Sequence, residues 1–261
     1  MRRDCIYLLT FLLIVTDAHA ENWKELKGDH FILYYQGEEE GFVREVLRKA
    51  ESYYHDISAD LGYARHSNFW QWENRVKIYI HPTREEFIRA ANEPAWSEGV
   101  ADYTLKEIRS YVWSQGFLEA LLPHEMTHLI FRDYVGFKGE IPLWLDEGVA
   151  QWEEPAKRAV VRQRMRSIFE KREAFSLAEL TQLRVGSETE QDRATRFYIQ
   201  AASLVDFLTQ EYGSDRFIEF CRGLRDGKSL NEALRFTYPT SMRTLDELEE
   251  KWKKYILSTP K

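Results

Sequence analysis

Hydrophobic positions change their period part-way along the chain. The stretch from Asp29 to Gly37, DHFILYYQG, is branched and aromatic and closes on a glycine, which predicts a strand. Between Glu38 and Leu61 the apolar residues Phe42, Val46, Leu47, Ala50, Tyr53, Tyr54, Ile57 and Leu61 recur at helical spacing, and Gly62 marks the end. Arg75 to Pro82 (RVKIYIHP) alternates as a strand does. Thr83-Arg84-Glu85-Glu86 then reads as a capping box opening a short helix that stops before Pro94. Gly99 to Tyr103 and Glu107 to Trp113 are two further strand candidates.

From there the period is helical almost throughout. A helix is expected from Phe117 to Tyr134 and a shorter one from Leu143 to Glu153, behind Pro142. Capping boxes stand at Ser176 to Glu179 and Ser229 to Glu232, and Asp192 to Tyr212, ended by Gly213, is the clearest helix. Strands and helices mix in the first half and helices fill the second, so the fold class is α+β. We divide the chain into 1–20, a mixed subdomain 21–154 and a helical subdomain 155–261.

Residues 1–20 stand apart. Arg2 and Arg3 precede an apolar run from Ile6 to Val15, and Ala18-His19-Ala20 has the small-x-small form of a cleavage site. Ten residues cannot span a hydrocarbon core that needs ~20. The expectation is a signal peptide cut after Ala20 and a secreted or periplasmic product, with no stable membrane insertion thereafter. Its removal takes away Arg2, Arg3, Asp4 and Asp17, so the net charge stays at −7. That acidity argues against nucleic acid as a partner. Cys5 leaves as well, and Cys221, in the helical pattern FIEFCRGL, is expected as a buried small hydrophobe. His30, His55, His66 and His81 have no partners at ligand spacing, so each is expected at the surface or as a cap.

One apolar run carries charge. LPHEMTHLI (Leu122 to Ile130) sets His124, Glu125 and His128 into a segment otherwise suited to burial. Burying such groups is costly unless they are paired or bind a metal. Two histidines four apart on a helix share one face about a turn (~5.4 Å) apart, so both can reach one ion. The intervening glutamate points aside and can serve a water as general base. Downstream, PLWLDEGVAQW (Pro142 to Trp152) offers Glu147 on a second short helix, with Gly148 beside it to let two helices approach closely. Eighteen residues separate His128 from Glu147.

Together, His124-Glu125-Met126-Thr127-His128 and Trp144-Leu145-Asp146-Glu147-Gly148-Val149-Ala150 resemble the gluzincin metallopeptidases, in particular small exported proteins with a peptidase MA-like domain. The gap equals that of aminopeptidase-N-like enzymes. The resemblance implies a thermolysin-like zincin fold and one Zn2+ per chain held by His124, His128 and Glu147, with Glu125 as general base. It also implies that Tyr198, in FYIQAASL, stabilises the oxyanion; where that block carries a lysine and a glycine, this chain has Gln200 and Ala201. Carboxylates that fix histidine tautomers are sought in Asp146 and Asp133, with backbone carbonyls as the alternative. Ile108 to Val112 is considered as the strand that pairs with an extended peptide, against an ordinary interior strand.

The expected function is hydrolysis of peptide bonds in a peptide or protein substrate. Nothing before His124 resembles the acidic G-x-M-E-N block by which aminopeptidases hold a free N-terminus. The reading therefore leans to an endopeptidase or a narrowly specific processing enzyme. The alternative is a catalytically silent binding or assembly module on the same fold.

Overall fold

The computed structural model describes residues 23–37, 39–62, 70–93, 97–112, 116–138, 140–186 and 188–258. The signal-like stretch, His66 and Trp96 lie outside them. Alternation builds the sheet. In β2 (Phe31–Tyr35) the residues Phe31, Leu33 and Tyr35 turn inward, and in β3 (Val76–His81) Val76, Ile78 and Ile80 do the same. These two pair in parallel, and β3 pairs in parallel with β5 (Glu107–Tyr111). Two antiparallel strands close the edges. β1 (Lys24–Lys27) lies against β2 and β4 (Gly99–Asp102) against β5, giving the order β1-β2-β3-β5-β4. The sequence KELK has no apolar alternation, so β1 escaped the periodicity reading; lysines on an edge strand deter further pairing.

Helix α1 (Glu40–Asp60) buries Phe42, Val46, Ala50, Tyr53 and Ile57 and packs on both β2 and the helix that carries the histidines. In α2 (Arg84–Ala91) only half of the expected capping box forms. Thr83 Oγ1 accepts from the Glu86 N–H at 3.2 Å, while Glu86 Oε2 is buried without a hydrogen-bond partner among the described residues. His30 and His81 correct the surface reading, since both are buried. His30 stacks on Tyr54 with ring centroids 3.8 Å apart and meets Glu51 at 2.7 Å. His55 is exposed.

A π-helical turn, Phe117–Leu121, runs directly into α3 (Leu122–Val135), where Pro123 sits in the first turn and lacks the N–H that would go unused there. Gly136 ends α3 in the left-handed region at φ 84°. The remainder is helical: α4 (Leu143–Glu153), α5 (Pro155–Arg158), α6 (Val161–Lys171), α7 (Leu177–Leu180), α8 (Gln191–Tyr212), α9 (Ser214–Arg225), α10 (Leu230–Thr237) and α11 (Leu245–Ser258). Both serine capping boxes form in full, before α7 and α10.

Buried side chains make one continuous cluster from Phe31 in the sheet to Ile256 in the last helix, and Cys221 is fully enclosed in it. Helix α8 supplies its centre and packs closely on α4. Gly148 makes that contact possible: a Cβ there would lie 2.8 Å from the Ala201 carbonyl oxygen, a clash with backbone that cannot swing away. No helix among the described residues is long and apolar enough to cross a membrane.

Candidate metal centre

Three elements meet at the histidines: α3, α4 and the outer edge of β4. His124 and His128 stand one turn apart on α3 with ring planes at 80° and their Nε2 atoms 3.1 Å apart. Glu147, from α4, brings Oε2 to 3.7 Å from His124 Nε2. One ligand atom from each of the three lies within 4.8 Å of the others. Among the described residues this is the single such His/Cys/Asp/Glu group.

The outer ring nitrogens are held. His128 Nδ1 lies 2.9 Å from Asp146 Oδ1, and His124 Nδ1 lies 2.9 Å from Glu154 Oε1. Lys157 donates to that same Glu154 oxygen at 2.7 Å. With a carboxylate accepting at each Nδ1, the Nδ1 carries the proton and the Nε2 lone pair is free to face its neighbour. Two imidazole lone pairs 3.1 Å apart repel unless a proton or a cation lies between them. The donor set therefore fits a zinc-sized ion: two neutral imidazoles, one carboxylate, and a surrounding field from Asp146, Glu154 and Glu125 that favours positive charge.

The same field shows in the protonation of single groups. Burial opposes charging His128, but the hydrogen bond and charge of Asp146, with Glu147 and Glu125 behind it, outweigh burial and raise the imidazole to about 9. Burial raises the Glu125 carboxyl, against the pull of both histidines and of the Ala101 N–H. Ala101 belongs to β4, so the unpaired edge of that strand faces the centre.

Two expectations change here. Asp133 does not touch a histidine; its Oδ2 accepts from Trp70 Nε1 at 3.0 Å and Lys106 Nζ at 2.6 Å. The orienting partner of His124 is Glu154, which lies past the end of α4 and matches no motif. An acid seven residues after Glu147, two helical turns on, was the signal to look for. Likewise, Ile108 to Val112 offers no free edge, because β5 is bonded on one side to β3 and on the other to β4. The available edge is β4. Tyr103, just beyond it, is a further residue the motifs did not reveal. Its ring meets His128 edge-on at 6.0 Å and Arg132 lies over it at 5.0 Å. Burial first, and then the charges of Glu125, Asp146 and Glu147, push its hydroxyl up.

Tyr198 is half-buried on α8, on the side where its hydroxyl is raised by burial and then by the charge of Glu147. Gln200 turns the other way. Its side chain accepts from the Phe175 N–H at 2.7 Å and donates to the Phe175 carbonyl at 3.0 Å, clamping the segment before α7.

A family model described as the Peptidase MA superfamily matches residues 66–258. The chain belongs to the Peptidase MA superfamily. Its histidine-bearing helix, the Glu147 helix and the helical region behind them all lie within the match. A search of curated protein sequences finds no match. Among solved structures, the chain is similar to yeast LTA4 hydrolase in complex with Bestatin, at 15% identity and a TM-score of 0.39. That likeness covers 91% of this chain and 38% of the other, so this superfamily member spans well under half of the larger protein's length.

Proposed function

We propose that the protein is an exported zinc-dependent metallopeptidase that hydrolyses peptide bonds, either as an endopeptidase or as a specific processing enzyme. The observation that carries this reading is the pair of Nε2 atoms 3.1 Å apart, each imidazole anchored behind by a carboxylate and both faced by Glu147. Membership in the superfamily supports it, as does the signal-like pattern of residues 1–20 for export.

His124, His128 and Glu147 would hold zinc, which would supply Lewis acidity and make a water more acidic. The chain's own residues do the remainder. Glu125 is the proton carrier: it takes a proton from the attacking water and passes it to the leaving amine. Its raised carboxyl suits the first half of this task, since a more basic carboxylate takes up the water's proton more readily. Tyr198 donates to the developing oxyanion. The open edge of β4 pairs with the backbone of an extended substrate, bringing its carbonyl over the histidine face. The absence of any acidic block for a free amine ahead of His124 favours internal cleavage over removal of single N-terminal residues.

Metal analysis joined to one substitution tests the reading. Protein purified without added metal is expected to carry about one zinc per chain. Glu125→Gln should keep that zinc and an unchanged Tm while losing ~10²–10⁴-fold in peptide hydrolysis. Unaltered turnover in Glu125→Gln would remove the mechanism. Zinc bound at one per chain with no cleavage across a peptide library would leave the binding-module alternative, which the intact ligand set and Glu125 disfavour and the departure at Gln200 and Ala201 leaves open.

A further inference from the structure

A cavity of about 270 Å³ opens beside Tyr198. Val161 and Ile199 give it an apolar wall, and Gln151, Lys157 and Arg164 give it polar ones. Two links tie it to the metal centre. Gln151 follows Glu147 by one turn of α4 and so shares its face. Lys157 donates to the Glu154 oxygen that holds His124, so the cavity is one hydrogen-bonded relay from a histidine ring.

Its charge runs against that of the molecule. The chain has a net charge of −7, yet no acidic residue is among those lining this cavity, and two cations are. Lys157 shares its charge with Glu154. Arg164, on an exposed turn of α6, makes no ion pair with any described residue. A free guanidinium at the mouth of a partly apolar recess is suited to a carboxylate on a short aliphatic stem, which it can grip with two parallel hydrogen bonds.

We propose that this cavity is a substrate subsite that selects a carboxylate next to the scissile bond, with Arg164 as its recognition residue. The inference rests on the metallopeptidase reading for the location of the bond, and on the cavity alone for the charge preference. The carboxylate can come from an aspartate or glutamate side chain or from the free C-terminus of a peptide, and the test separates these.

Binding is measured by fluorescence polarisation on full-length, zinc-loaded Glu125→Gln, which holds peptides without turning them over. The probes are N-acetylated, C-amidated hexapeptides with a single Asp, Ala or Lys walked through the sequence, and an all-alanine hexapeptide with a free C-terminal carboxylate. At one position Asp should bind about tenfold tighter than Lys, the size expected for a charge-assisted hydrogen bond. Adding Arg164→Glu should reverse that order at an unchanged Tm, whereas Arg235→Glu on exposed α10 should not. If the free-carboxylate peptide alone shows the Arg164-dependent gain, the subsite reads chain ends. Equal binding of Asp, Ala and Lys peptides, or a preference that survives Arg164→Glu, overturns the proposal. Cleavage of neutral and acidic peptides alike by the unmodified protein would overturn the subsite and leave the hydrolase. Arg164-dependent binding without cleavage by zinc-loaded protein would keep the subsite and remove the hydrolase.

Discussion

Two polar clusters are built among the helices, one on α3 and α4 and one centred on α8, and they end differently. Around Asp206, three donors converge on one carboxylate: Trp152 Nε1 at 3.1 Å, Arg162 Nε at 2.7 Å and the Tyr255 hydroxyl at 3.0 Å. Both oxygens are used, and the network is closed. Around His124 and His128 the outer nitrogens are anchored just as firmly, but among the described residues the inner ones meet only each other and Glu147. A closed network fixes the packing of α4, α6, α8 and α11. An open one leaves coordinating capacity aimed at a point. The difference marks which polar inclusion serves the fold and which serves chemistry.

Substitutions can force the two apart. Asp206→Ala removes the acceptor of one buried donor, Trp152 Nε1, and of two part-buried ones, Arg162 and Tyr255, and should cost about 2–3 kcal/mol of stability, below the ~3–5 typical of a fully buried pair because Arg162 keeps part of its guanidinium in water. Chemical denaturation should register that loss, and the folded fraction should still bind one zinc per chain. Loss of zinc stoichiometry together with stability would mean that the two clusters are one unit. Asp146→Asn and Glu154→Gln should act at the metal instead: zinc affinity falls 10–100-fold by competition titration. Asp133→Asn, an equally conservative change on α3, should leave zinc affinity alone, because Asp133 serves Trp70 and Lys106.

Much of this was legible in the sequence because local rules agreed with the global fold. A branched, aromatic run ended by a glycine found β2, alternation found β3, a proline, two capping boxes and a glycine bounded α4, α7, α10 and α8, and the family resemblance carried by two motifs picked out the three side chains that converge. What stayed hidden had no periodic or motif signature. β1 is a charged edge held through its backbone. Glu154 and Tyr103 reach the centre only through tertiary contact, from the end of a helix and from a turn. Of the two readings of Ile108 to Val112 the ordinary interior strand holds, because the antiparallel return of β4 places that strand outside β5. His30 read as a surface residue because its partner Glu51 is distant in sequence.

The smallest effect lies between the two clusters, at Glu153. This last residue of α4 is buried beside Glu154, yet its Oε1 has no hydrogen-bond partner among the described residues, and Arg158 Nη1 comes only to 3.9 Å of Oε2. Arg158 is engaged elsewhere, in an ion pair with Asp60 and stacked 3.7 Å over Trp152. Burial above all, then the charges of Asp60 and Asp56, push the Glu153 carboxyl well above its ordinary 4.5. The folded chain then holds a proton that the unfolded chain releases above about pH 4.5. The stability that goes with this proton is fully present below that pH and is lost as pH rises toward the folded value. Glu153→Gln keeps the shape and removes the titration. Its Tm should match that of the unmodified protein at pH 4 and exceed it increasingly toward pH 8, by on the order of 1 kcal/mol or about 2–4 °C in a chain of this size. A difference that stays constant between pH 4 and pH 8 would show that Glu153 is ionised in the fold and paired with Arg158. It would then belong with the closed kind of cluster.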